Sequence, residues 1–126
     1  MAIIFLIGRI LFGGYFIMNG YNHLKNSAGL AGYAQSKGVS SPKAAVIGTG
    51  ILMLLGGLGI VLGVFPRFAV LLLEIFLIPV TFKMHQYWKI TDPMQKMSER
   101  INFSKNIALI GATLMFLAPA IWAISL

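Results

Sequence analysis

Four stretches of this chain, residues 3–22, 44–65, 68–87 and 106–126, are each about twenty residues long and mostly apolar. Coiled as α-helices at about 1.5 Å per residue, each reaches across the ~30 Å hydrocarbon layer of a bilayer. Lipid offers no partner to a bare amide, so runs of this length are expected to be helical. The charge content agrees: 10% of residues are charged, against about 25% in soluble domains. The expected fold is all-α, an integral membrane four-helix bundle formed by one domain over 1–126. Pro79 and Pro119 fall inside the third and fourth windows and are expected to kink them. Arg9 follows an apolar run instead of preceding one, and no A-x-A site comes after it. The first helix is therefore expected to stay in the mature protein.

The joins between windows are uneven. Only Pro66 and Arg67 separate the second from the third. Residues 23–43 separate the first two, and their core, 30–38, is expected to form a short interfacial helix ended by Gly38. Residues 88–105 separate the last two, with Asp92-Pro93 opening a second short helical turn. An even number of spans places both long loops on one side and both termini on the other. The loop side collects Lys25, Lys37, Lys43, Lys83, Lys89, Lys96, Arg100 and Lys105, whereas Arg67 alone marks the terminal side. The positive-inside rule then puts the loops in the cytoplasm and the termini outside. Tyr87-Trp88 and Trp122 suit interfacial belts at opposite faces. The net charge of +7 thus speaks first of topology and anionic lipid. The basic loops lack the interleaved aromatics that grip nucleic acid, so none is expected as a partner.

Two charges fall deep within the windows, Arg9 and Glu74, and such groups normally face a bundle interior and pair. Each lies about 9 Å from the start of its helix at 1.5 Å per residue, and the two helices run the same way. A buried Arg9–Glu74 ion pair is expected, first as a clamp on helix register and second as a proton relay or an anion or quinone contact. Helical phase places Arg9, Gly13, Phe16, Gly20 and His23 on one face, and Glu74, Ile78, Thr81 and His85 on another. Both faces end in a histidine at the loop side, near Asn19, Asn22 and Asn106. His23, His85, Asn22 and Asn106 form a candidate polar or quinone-binding cluster. Haem ligation by the two histidines is less favoured and no metal site is expected, because no third ligand is in view. The second window packs through glycine: Gly56, Gly59 and Gly63 include a G-x-x-x-G spacing that permits close approach, within the chain or to another copy. The chain has no cysteine, which excludes disulfides, thiolate metal sites and thiol redox chemistry of its own.

Several ordered blocks carry a family resemblance. They are residues 8–14 (GRILFGG) leading to 19–23 (NGYNH), then 31–34 (AGYA) with 37–39 (KGV), the glycine-rich 54–59, and Pro66-Arg67. Thr81-Phe82, 85–88 (HQYW), Asp92-Pro93 and 102–111 (NFSKNIALIG) follow. Over its whole length the chain resembles the DoxX family of membrane proteins. That resemblance implies a four-helix protein of the bacterial or archaeal cytoplasmic membrane. Some members are subunits of quinone-linked sulfur oxidation, notably thiosulfate:quinone oxidoreductase; others belong to complexes that handle oxidative stress and thiols. Arg9, His85 and Asn106 sit within the recurrent blocks and become candidates on that ground.

Three functions are compatible with these residues. The first is a small non-catalytic accessory or anchor subunit of a larger membrane complex, redox or respiratory, with no cofactor in this chain. The second is a quinone-interacting oxidoreductase subunit using the charged pair and the histidines. The third is a small oligomeric transporter built around Glu74. The bilayer is a partner in all three, together with other subunits or further copies of the chain.

Overall fold

A computed structural model describes residues 1–125. It contains five α-helices: α1 (Ala2–Lys25), α2 (Ser27–Ser36), α3 (Pro42–Leu62), α4 (Pro66–Met84) and α5 (Pro93–Met115). Two short 3-10 turns, Tyr87–Lys89 and Pro119–Trp122, complete the described elements, with no strand among them. The four long helices form the all-α bundle expected from the apolar windows. α2 and the turn at Tyr87–Lys89 are the two short helical pieces on the loop side, whereas Asp92-Pro93, expected to open the second of them, opens the long helix α5. α1, α3 and α4 are long and apolar enough to cross a membrane.

α1 and α3 make the most extensive contact in the bundle, and glycine explains how they approach so closely. A Cβ placed on Gly13 or on Gly57 would lie 2.7 Å from the other residue's carbonyl oxygen, and one on Gly20 would lie 2.7 Å from the carbonyl of Gly50. α3 meets α4 in the same manner, where Gly56 faces Leu73 and Gly59 faces Ala69. Gly50, Gly56, Gly57 and Gly59 of α3 are thus used within the chain. Gly63 ends α3 in the left-handed region at φ 73°, a conformation that glycine adopts without a Cβ clash.

The fourth window is divided. α5 starts at Pro93, where the Asp92 side chain accepts a hydrogen bond from the Gln95 amide and caps the helix. Its first half is the charged loop segment and only its second half is apolar, so it lies outside the set of helices that cross by hydropathy alone. The helix stops at Met115, and Phe116, Leu117 and Ala118 tighten its end with i→i−3 bonds. Pro119 disfavours helical geometry at the residue before it and opens the second 3-10 turn instead of kinking a helix. Leu126, the last residue of the window, lies outside the described residues. Pro79 does sit inside α4, where its missing N–H removes the helical donor for the Ile75 carbonyl.

Candidate functional site

At the terminal end of the bundle, Arg9 is 1% exposed. Its Nε donates to the Ile60 carbonyl and its Nη2 to the Val61 carbonyl, each at 2.9 Å. Its Nη1 donates to the carbonyls of Ile124 and, at 3.5 Å, Ile121. The Trp122 ring lies over the guanidinium at 4.8 Å. Ile60 and Val61 belong to the last turn of α3, whose carbonyls have no intrahelical donor and carry the negative end of the helix dipole. The expected Arg9–Glu74 ion pair does not form. A helix C-terminus and the returning chain end provide acceptors for Arg9, and these have no signature in a count of acidic residues.

Glu74 is 8% exposed, and neither carboxylate oxygen has a hydrogen-bond partner among the described residues. The interior face of α4 consists of Ala69, Val70, Leu73, Glu74, Leu77, Thr81 and Met84. Ile78, expected on that face, is 46% exposed, so the true face is rotated and Glu74 sits at its edge. α1 follows the expected phase, since its buried residues are Arg9, Gly13, Phe16 and Gly20.

At the loop end the helices separate around a cavity of about 350 Å³. Phe16, Met53, Leu77 and Leu109 line its apolar part; His23, His85, Asn19, Asn106, Lys83 and Lys105 add polar groups, and α2 contributes Tyr33 and Ala34. Three members of the expected cluster, His23, His85 and Asn106, therefore share one cavity. Asn22 does not join them. It is exposed and hydrogen-bonded to Asn26, while Asn19, one turn earlier, takes the cavity position. Each residue turns the helix by about 100°, so Asn22 and His23 face different surroundings.

The two histidines are held by their Nδ1 atoms. His23 Nδ1 lies 2.9 Å from the Asn19 carbonyl and donates to it. His85 Nδ1 lies 2.6 Å from Glu99 Oε2. In both rings Nε2 is left as the uncommitted nitrogen. Glu99 also accepts a 2.7 Å hydrogen bond from the Tyr33 hydroxyl. One carboxylate thus ties α2 to the end of α4 through α5. Burial opposes the charge on Glu99, but the Tyr33 and His85 hydrogen bonds and the nearby charges of His85 and Lys37 outweigh it and hold the carboxyl below its usual range. Burial, reinforced by the bond to Glu99 and by its charge, pushes the Tyr33 hydroxyl above its ordinary value. Sequence reasoning missed Glu99 and Tyr33 as partners. One signal was present: Glu99, Asn106 and Thr113 recur every seven residues, and all three are buried on α5. Among the described residues no group of three or more His, Asp or Glu could hold a metal ion.

The DoxX family profile matches residues 4–86 of the chain. The chain belongs to the DoxX family. Similarity extends over nearly the full length to the inner membrane protein YphA of Escherichia coli strain K12. The two are 30% identical over 124 residues, covering 98% of this chain and 88% of that protein. No solved structure matches. The DoxX match includes Arg9, His23, Tyr33, Glu74 and His85 and stops just after His85, so Glu99 and Asn106 lie beyond it. This DoxX protein therefore builds its loop-end cavity partly from the matched segment and partly from α5.

Proposed function

We propose that this DoxX protein is an accessory subunit of a redox complex in the cytoplasmic membrane, and that it holds the head group of an isoprenoid quinone in the loop-end cavity. The cavity itself carries this reading. Its volume falls within the ~300–1,000 Å³ typical of small-molecule sites. Its apolar part suits a ring and the first part of a prenyl tail. His23, His85 and Asn106 are suited to hydrogen-bonding ring oxygens, and Lys83 and Lys105 are cations beside them. Electrons would pass to or from the quinone through a partner subunit, while this chain binds and orients the ring. The positive-inside count of the loop segments supports a cytoplasmic position for the cavity.

Purification from native membranes in mild detergent tests both parts, with co-purifying proteins and extracted quinone quantified together. Near-stoichiometric quinone together with an oxidoreductase subunit is expected. His85→Ala should lower the quinone and leave the protein assembled. Quinone at background level in the wild-type protein overturns the binding reading.

The exposed apolar residues Met94, Met97 and Ile101 on the first half of α5 favour an anchor role as a second reading. They recur at helical spacing beside Lys96 and Arg100, a pattern suited to a head-group layer or a docked subunit. Recovery of a partner subunit without quinone would select this reading.

A further inference from the structure

Glu74 is the one buried ionisable side chain among the described residues with no hydrogen-bond partner on either oxygen. An unpaired carboxylate charge inside a bilayer is costly, and the neutral acid avoids most of that cost. No cation meets it. α4 carries Arg67 and Lys83, α3 carries Lys43, and α5 carries Lys96, Arg100 and Lys105 along with Glu99. None of these lies within ion-pair distance of Glu74; the His85–Glu99 contact is the only such pair among the described residues. Arg9 on α1 is committed to backbone carbonyls.

Three features connect Glu74 to the loop end. It lies about 16 Å along α4 from His85 at 1.5 Å per residue, roughly half the thickness of the hydrocarbon layer. The cavity reaches Ile75 and Leu77, the first and third residues after Glu74. Pro79, which also lines the cavity, leaves the Ile75 carbonyl, one residue along the chain from Glu74, without its helical donor. We propose that Glu74 is a proton-binding site inside the bilayer, loaded from the loop end through the cavity beneath α2. The route passes His85 and Asn106, and the stored proton lies close to the ligand cavity. The site stands independently of which ligand the cavity takes.

Infrared spectroscopy of the protein in liposomes reads the site directly. At neutral pH the wild-type protein should show the C=O stretch of a protonated carboxyl, and Glu74→Gln should lose it. Transfer to D2O should shift the band quickly, and Asn106→Leu should slow that shift. In a second measurement on the wild-type chain, a lipid-soluble carbodiimide should form an adduct at Glu74, located by mass spectrometry. Absence of both a Glu74-dependent band and an adduct overturns the site. An exchange rate unchanged by Asn106→Leu overturns the route. Neither readout involves quinone, so failure here and failure of the quinone reading are distinguishable.

Discussion

The two ends of the bundle satisfy a buried charged residue in opposite ways. At the terminal end Arg9 gives its donors to backbone carbonyls from α3 and the returning chain, under the face of Trp122. At the loop end Glu99 receives side chains, Tyr33 and His85, from two other elements, and both of these partners line a cavity. Backbone acceptors at a helix end cannot titrate and move only with the helix, so the Arg9 socket is a fastening. Side-chain partners can change protonation and rotamer, so the Glu99 cluster can respond to a ligand or to pH. The same small bundle thus separates holding from responding at its two ends.

Breaking the fastening should have the largest effect. Arg9→Met strands the carbonyls of Ile60 and Val61 and is expected to cost about 2–5 kcal/mol, since each buried acceptor left without a donor costs about 1–3 kcal/mol. Arg9→Lys should recover only part of this, because an ammonium cannot reproduce the forked geometry. Thermal unfolding in detergent measures both, and an unchanged midpoint would show that the carbonyls find other donors. Next in size is Gly57→Ala, whose Cβ would lie 2.7 Å from the Gly13 carbonyl and cost about 1–3 kcal/mol through overpacking. Gly48→Ala is its control. Nothing lies within 4 Å of that position, and alanine there should be neutral or stabilising by about 0.5–1 kcal/mol.

Changes at the loop end should be smaller in stability and sharper in pH dependence. Glu99→Gln should cost about 1–2 kcal/mol through weakened hydrogen bonds. The folded carboxyl ionises at a lower pH than an ordinary glutamate, whose value is about 4.3. Its contribution is therefore present above that ordinary value and lost as pH falls through the folded one. Unfolding followed against pH should show an acid limb in the wild-type protein that Glu99→Gln flattens. An identical acid limb in both would remove Glu99 as its source. Tyr33→Phe is expected to have the smallest effect, about 0.5–1.5 kcal/mol for one hydrogen bond. It should also make α2 more accessible to limited proteolysis.

The buried stripe of α1 was legible because its spacing of four and three is a property of any packed helix, and Arg9, Gly13, Phe16 and Gly20 obey it. The partner of Arg9 was not, since any residue can supply a carbonyl and no residue type marks it. The Glu99–His85 contact was hidden differently. Glu99 stands among Lys96, Arg100 and Lys105, where charge reads as loop topology. Its burial depends on α2 and the turn after α4 folding over it. Asn22 was displaced by a single helical step that hydropathy cannot resolve. The fourth window misled at its end because lipid-compatible residues continue past Met115, while backbone geometry near Pro119 stops the helix.

The Arg9 socket also imposes an order on biosynthesis. Arg9 enters the membrane with the first helix, yet Ile121, which supplies one of its acceptors, lies 112 residues later in the chain. At about 5–20 residues per second of translation, the guanidinium waits on the order of ten seconds for that part of its shell. Throughout that interval the nascent bundle carries an incompletely solvated charge within the bilayer. A chain halted before residue 121 keeps it, which offers membrane proteases and chaperones a physical mark that separates unfinished copies from complete ones.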